Sequence, residues 1–285
     1  MKAQSLTLPA PAKLNLFLHI NGRRPDGYHE LQTLFQFLDY SDSLQFRPRQ
    51  DGAIHLTGMD GIAPGDNLIV RAARLMQPHA PAGAGADIHI EKRLPMGGGL
   101  GGGSSNAATT LHGLNRLWDC RLSMDTLADM GLTLGADVPV FVRGQAAWGE
   151  GVGEQLTPVT LPEPWFVVLI PDCRIDTGEV FRHQGLTRDT PKRRIRTAFE
   201  GNLNSFRNDC EPVVRSMHPP VASALDWLGS RTKSQLTGTG SCVFGRASTQ
   251  SAAQCVLSQR PEGIEGFTAR GLNRSPLSTR LSELD

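Results

Sequence analysis

The sequence predicts an α+β fold in two domains, and three observations carry the prediction. Segments of two-residue apolar period are interspersed with segments of helical period, without strict strand–helix–strand regularity. A chain of 285 residues can bury one large core or two modest ones. Glycines at 149, 151 and 153 break the pattern in mid-chain, which divides it into residues 1–152 and 153–285.

The elements follow in order. Residues 13–20 alternate, with Leu14, Leu16 and Leu18 on one face and Lys13, Asn15 and His19 on the other. Residues 31–37 and 43–47 read as two further strands. Residues 67–76 predict a helix with Leu68, Ala72 and Leu75 on one side. Residues 78–85 are a loop by their proline, glycine and alanine content. Residues 86–92 alternate as a half-buried strand does. Beyond a glycine-rich loop, Ala107, Leu111, Leu114 and Trp118 recur at helical spacing, with Leu117 widening the stripe, and Ser104 or Ser105 is placed to cap that helix. Residues 123–130 are amphipathic. In the second half, residues 165–170 are an apolar strand, 211–216 and 221–228 predict helices, and 236–245 a hairpin. Residues 251–257 predict another helix and 266–270 a last strand. No internal repeat is present.

Bulk properties narrow the function classes. Net charge is +1, which does not suit a nucleic-acid or membrane-surface binder. The basic run Lys192-Arg-Arg-Ile-Arg196 reads as a solvated face. Five cysteines without Cys-x-x-Cys spacing suit free thiols in a reducing cytosol, so a cytoplasmic location is expected. Lys13, Asn15 and His19 interrupt the N-terminal apolar stretch, which is too short for a signal segment. No run approaches the roughly 20 apolar residues of a membrane span. Eight histidines show no ligand spacing, which argues against zinc.

The loop Pro95-Met-Gly-Gly-Gly-Leu-Gly-Gly-Gly-Ser-Ser-Asn106 carries the most chemistry. Six of the seven residues 97–103 are glycine. Residues without a Cβ let backbone N–H groups turn onto an anion, and a helix starting behind them adds positive potential. Strand, glycine loop and helix together suit the phosphates of a nucleotide. A Walker A loop is excluded because no lysine follows the glycines. Gly97, Gly99 and Gly102 also satisfy a dinucleotide fingerprint, with Asp119 near the ribose-acid distance, but in so glycine-rich a loop that match is almost automatic. Pro95 and the paired serines do not belong to the dinucleotide pattern.

Two more segments bear on the choice: Pro9-Ala-Pro-Ala-Lys-Leu-Asn-Leu-Phe-Leu18 and Leu236-Thr-Gly-Thr-Gly-Ser-Cys-Val-Phe244. With the glycine loop between them, the ordered trio resembles the galactokinase, homoserine kinase, mevalonate kinase and phosphomevalonate kinase (GHMP kinase) superfamily. Asp26-Gly-Tyr-His-Glu-Leu-Gln-Thr-Leu34, Leu134-Gly-Ala-Asp-Val-Pro-Val-Phe141 and the expanded glycine loop resemble its diphosphocytidyl branch. The likeness runs along nearly the whole chain. It implies an N-terminal domain like ribosomal protein S5 domain 2, a ferredoxin-like C-terminal domain, and an active site in the cleft between them. It also implies ATP-dependent phosphorylation of the 2-hydroxyl of 4-diphosphocytidyl-2-C-methyl-D-erythritol, in non-mevalonate isoprenoid precursor synthesis. ATP and Mg²⁺ are the implied cofactors, a small cytidyl-diphosphate substrate the implied partner, and a monomer or weak homodimer the implied state. No protein ligand for the metal is named.

Residue by residue, the local readings are plain and the resemblance adds a role. Asp137, before Pro139, reads locally as a helix N-cap; the resemblance makes it the acid/base. Lys13 reads as a lysine reaching out of a sheet; the resemblance makes it an active-site cation that pairs with Asp137. Asn15, two residues on, could fix the acceptor hydroxyl. The ATP side comprises Asn67 and Leu68 at a helix start, then Pro95, Met96, Gly97, Gly98, Gly99, Leu100, Gly101, Gly102, Gly103, Ser104 and Ser105. On the acceptor side, Tyr28 and His29 follow an Asp-Gly turn, and the resemblance gives them the cytosine. Phe181 is the other wall and Thr177 a hydrogen-bonding partner. Gly238, Thr239 and Gly240 form a turn that the resemblance sets against substrate phosphates.

Overall fold

The computed structural model describes residues 5–59, 61–195 and 206–284. Ten strands form one sheet among the described residues. β1 (Leu6–Arg23) and β2 (His29–Arg49) are long and antiparallel, and β3 (Ile54–Thr57) and β4 (Gly85–Glu91) extend β2 on one side. β5 (Ala147–Glu150) pairs with β2 and with β6 (Gln155–Pro158). The remaining strands are β7 (Trp165–Ile170), β8 (Ser234–Leu236), β9 (Val243–Ala247) and β10 (Glu265–Leu272), in the order β10-β7-β9-β8. The two groups meet where β10 pairs with β2, at Gly271 opposite Leu38 and Leu272 opposite Phe37.

Helices cover this sheet. α1 (Leu68–Met76), α2 (Gly102–Leu117), α3 (Met124–Leu134) and α4 (Val138–Arg143) belong to the first half. The second half holds α5 (Thr177–Arg182), α6 (Glu211–Met217), α7 (Pro219–Gly229), α8 (Gln250–Ser258) and α9 (Pro276–Ser282). The α2 stripe of Ala107, Leu111, Leu114 and Trp118 is buried with Phe37, Phe46 and Phe141, as its spacing predicts. Leu277 of α9 returns to this first core. A second core joins Leu14, Leu16 and Phe17 to Phe166 and Phe244, so β1 also packs on the second half. A third gathers Leu18 and Ile20 with Val167, Val214 and Leu225.

Three expectations change. Residues 31–37 and 43–47 belong to one strand, β2, because β1 pairs along almost its entire length. The alternation of β1 does not persist: the register shifts between Asn15 and Leu18, and that bulge brings Leu18 onto the same cavity wall as Lys13 and Asn15. Ser104 and Ser105 do not cap α2. The helix starts at Gly102, and Gly101, at φ 72°, holds the capping position without a side-chain bond. Of the basic run, residues 192–194 are exposed, as expected for a solvated face, and Arg196 lies outside the described residues. Among the described residues no helix is long and apolar enough to cross a membrane.

Burial holds three histidines below their ordinary pKa. For His112, burial is the main cause, opposed by its hydrogen bond with the Val142 carbonyl at 2.9 Å. For His19, burial is opposed by Asp209 and aided by Arg207 and Arg193. His29 is lowered by burial, then by Arg188 and Arg23. All three bind a proton less readily when folded than in the unfolded chain, where histidines titrate near 6.5. The unfolded state therefore binds more protons as pH drops. The stability contribution is complete above about pH 6.5 and declines below it, by up to about 1.4 kcal/mol per pH unit for one fully linked group. The urea midpoint should accordingly fall between pH 7.5 and 5.5. His112→Gln keeps an N–H for Val142 and should flatten that dependence; an unchanged slope would show that His112 is not among its sources.

Candidate active site

The glycine loop is shaped from both ends. At its entry Asp42 of β2, fully buried as a side chain, accepts the N–H groups of Arg93 (2.7 Å) and Leu94 (2.8 Å) on one oxygen and pairs with Lys92 Nζ at 2.5 Å on the other. At its exit Leu100 is buried and its carbonyl accepts the Lys13 N–H at 3.0 Å. Between them, Gly97 and Gly99 take φ of 71° and 75°, a region that L side chains avoid. The first N–H groups of α2 have no intrahelical partner, and residues 102–104 line the cavity, an arrangement that suits an anion.

Lys13 lies at the centre. It is 2% exposed, and its ammonium meets three acceptors: Asn15 Oδ1 at 2.5 Å, the Gly99 carbonyl at 3.0 Å and Asp137 Oδ2 at 3.2 Å. An ammonium has three N–H donors, so each has a partner. Asn15 is fixed in turn. Its Nδ2 donates to Thr33 Oγ1 at 2.8 Å, and Thr33 donates to the Phe17 carbonyl at 2.6 Å. Asp137 sits at the start of α4 yet makes no capping bond, so its carboxylate is free to face Lys13. The local cap reading of Asp137 is thereby set aside. Its side chain keeps 34% exposure, enough to meet a ligand in the cavity.

The second glycine turn closes the opposite side. Asn208, 2% exposed, gives both Nδ2 protons to the carbonyls of Leu236 (2.9 Å) and Gly238 (2.7 Å). Thr237 Oγ1 bridges the Asn15 N–H (3.1 Å) and the Gly99 carbonyl (3.2 Å), and the Cys242 N–H reaches the Gly98 carbonyl (3.1 Å). Thr239 and Thr177 share a 2.8 Å hydroxyl contact.

These walls enclose a cavity of about 620 Å³. Lys13, Asn15 and Asp137 line it, as do Asn67, Leu68, Pro95, Met96, Gly97, Gly98, Gly99, Gly101, Gly102, Gly103 and Ser104. Thr177, Phe181, Gly238, Thr239 and Gly240 line the other side. Four of the expected residues stand apart from the lining. Leu100 is buried beneath the loop and Ser105 inside the helix. Tyr28 is 64% exposed at the tip of a turn that the Asp26 side chain closes onto the Tyr28 N–H (3.0 Å). His29 stands just behind the wall, with its ring stacked on Phe181 at 5.0 Å. Asn67 caps α1 through Ile69 N–H at 2.9 Å. The sequence reading missed Lys92, Asp42, Thr33, Thr237 and Asn208. Of these, Lys92 ends an alternating strand just before Pro95, and Thr33 and Thr237 fall inside the motifs quoted above; Asp42 and Asn208 gave no signal.

With that geometry in place, the comparisons are specific. The family model described as the GHMP kinases N terminal domain matches residues 67–145, and that described as GHMP kinases C terminal matches residues 188–263. A 4-diphosphocytidyl-2-C-methyl-D-erythritol kinase of Marinobacter nauticus is 60% identical over 98% of each chain. One of Hahella chejuensis is 53% identical over 99% of each. The chain belongs to the 4-diphosphocytidyl-2-C-methyl-D-erythritol kinase family of GHMP kinases. A crystal structure of such a kinase superposes on this one with a TM-score of 0.82 at 32% identity, covering 93% of this chain and 99% of the other. A mevalonate kinase structure (TM-score 0.69, 15% identity, 94% and 100% covered) shares the fold. The dinucleotide alternative falls with this membership and with the antiparallel pairing of β4 on β2, where a doubly wound parallel sheet would be needed.

In this GHMP kinase, space makes the glycines unequal. A Cβ on Gly99 would lie 2.1 Å from the Thr237 carbonyl oxygen, whereas one on Gly97 meets nothing within 4 Å. Gly97→Ala should cost only the left-handed strain of about 1–2 kcal/mol. Gly99→Ala should cost more and pry the two glycine turns apart. Denaturant midpoints and the KM for ATP measure this; equal losses for the two variants would contradict the docking of these turns.

Proposed function

We propose that this chain transfers the terminal phosphoryl group of ATP to the 2-hydroxyl of 4-diphosphocytidyl-2-C-methyl-D-erythritol, a step of non-mevalonate isoprenoid synthesis. The observation that carries the reading is the Lys13–Asp137 pair. A carboxylate held 3.2 Å from a buried ammonium lies on a wall shared by the glycine loop and residues 238–240. The names of relatives 53% and 60% identical support the choice of acceptor.

The glycine loop and the start of α2 cradle the ATP phosphates, with Asn67, Leu68 and Met96 farther along the nucleotide side. The acceptor oxygen bonds to the γ-phosphorus as that phosphorus parts from the oxygen bridging it to ADP. The transition state is loose, so positioning and charge neutralisation do most of the work. The hydroxyl proton leaves late and passes to Asp137. Lys13, immobilised by its three acceptors, orients that carboxylate and offsets charge on the moving phosphoryl group. Asn15 acts mainly by fixing Lys13, since its Oδ1 is already occupied.

The oxygen donors on this wall suit a hard cation. Ser104, Asp137 and Asn106 line the cavity, and the buried Oδ1 of Asn106 has no partner. Among the described residues no cluster of three or more His, Cys, Asp or Glu forms an all-protein cage. That fits Mg²⁺, which is commonly held by one or two carboxylates together with substrate phosphates. Bound there, Mg²⁺ would neutralise phosphate charge.

Asp137→Asn should lower kcat by about 10²–10⁴-fold, the range of general base help, with the affinity for ATP little changed. Unaltered turnover would refute the base assignment. A coupled ADP-release assay should register the cytidyl acceptor and neither homoserine nor mevalonate; activity on homoserine alone would refute the acceptor.

A further inference from the structure

A guanidinium carries N–H donors, has no acceptor and stays charged throughout the working pH range. An imidazole nitrogen that receives its hydrogen bond must therefore offer a lone pair. Arg188 Nε donates to His29 Nε2 at 3.2 Å. The proton of neutral His29 consequently sits on Nδ1, to which no described protein atom is hydrogen-bonded. The same guanidinium also holds the neighbouring backbone. Its Nη2 donates to the carbonyls of Phe181 (2.8 Å) and His183 (2.9 Å), and its Nη1 to that of Leu186 (3.1 Å). Carbonyls at the end of α5 lack helical partners and favour a cation there. Phe181 lines the cavity, and its ring lies on His29 at 5.0 Å with 28° between the planes.

We propose that Arg188 is a positioning residue for the base of the acceptor. It fixes His29 as the neutral Nδ1–H tautomer and holds Phe181 against it, so that one N–H donor and one aromatic face are presented together to a pyrimidine. This rests on the acceptor reading above and deepens it by naming the group that sets the hydrogen-bond polarity of that wall. Cytosine N3 and O2 are both acceptors, so a fixed donor matches them. A lysine could not replace Arg188, because its donors radiate from one atom and cannot span three carbonyls and an imidazole.

The charges around His29 agree. Protonation would set N–H against N–H and place a second positive charge beside Arg188 and beside Arg23, which faces His29 across β1 and β2. Burial first, then Arg188, then Arg23, hold this imidazole below its usual pKa. The nearby carboxylates are engaged elsewhere: Glu30 with Arg24 and Lys192, both at 3.7 Å, and Asp26 with Arg24 at 3.2 Å. His183 contributes its carbonyl.

Long-range ¹H–¹⁵N spectra of the full chain read the tautomer directly, with His29→Gln providing the assignment. Wild type should show Nδ1–H and titrate below about 6.5. In Arg188→Met the pattern should shift toward Nε2–H and the midpoint should rise toward that value. In Arg188→Met and Arg188→Lys, the KM for 4-diphosphocytidyl-2-C-methyl-D-erythritol should rise about tenfold or more, the scale of one stacked or hydrogen-bonded base contact. The KM for ATP should stay within about twofold. The acid limb of kcat/KM for the acceptor should move to higher pH in Arg188→Met. Nε2–H in an active wild type, or equal rises in both KM values, would overturn the role of Arg188. If Arg188→Met does not fold, the wild-type spectrum and Arg188→Lys decide. A wild type that shows Nδ1–H but does not turn over the cytidyl acceptor overturns the acceptor reading, and the base-positioning role falls with it.

Discussion

The site depends on a buried ammonium that three separate parts of the chain neutralise together. Removing a charge of that size from water costs several kcal/mol unless its donors are satisfied. Lys13, on β1, finds its partners on its own strand (Asn15), in the glycine loop (the Gly99 carbonyl) and at the start of α4 (Asp137). None of these alone would offset the burial. The fold therefore gains from bringing them together, and the arrangement that satisfies Lys13 is also the one that sets a carboxylate beside the glycine loop. Gly101 shows how tight the fit is, because a Cβ there would lie 3.1 Å from Lys13 Cε and 2.7 Å from the Phe141 ring. The glycines serve packing around this cation as much as contact with an anion.

The same economy joins the two groups of strands. β2 and β10 share only two residue pairs, yet the glycine loop meets residues 237–242 through the Cys242 N–H and the Thr237 hydroxyl. β1 crosses beneath both, contributing to all three cores. The glycine-loop end of the cavity is therefore braced by hydrogen bonds from both halves. The end at Phe181 is built differently, from a six-residue helix whose last turn is held by Arg188, beside a surface turn that ends in an exposed Tyr28.

How far the sequence could be read follows from the range of each interaction. Local patterns located α1, the α2 stripe, β4, β7 and the hairpin of β8 and β9, because each depends on neighbours a few residues away. The start of α2 was misjudged by three or four residues. Serines are good caps and glycines poor helix formers, but here the glycines enter the helix and Gly101 takes the left-handed capping position. The alternation of β1 failed at a bulge, which periodicity does not announce. Lys13 and Asp137 are 124 positions apart, and no spacing rule joins them; the motifs shared with a kinase family brought them together on paper before geometry did. Asp42 and Asn208 had neither a pattern nor a motif reading. Each is a lone polar residue that bonds to backbone groups far along the chain.

Asp42 shows how the cavity acquires its field. Asp42 is sealed from water and spends one oxygen on the backbone of the loop, so only the other remains for Lys92. The pair is neutral as a whole, but its negative end is buried beneath the strand, while the ammonium reaches within 3.3 Å of the point where a Gly102 Cβ would stand. The positive end thus lies beside the first turn of α2, where the helix already presents unpaired N–H groups. In the Lys13–Asp137 pair the order is reversed: the ammonium is buried and the carboxylate is the more exposed partner. A polyanion entering here meets positive potential at the start of α2, beside the one carboxylate that the Lys13 pair leaves exposed to the cavity. The charge separation within each ion pair, set by which partner is buried, decides what the cavity attracts.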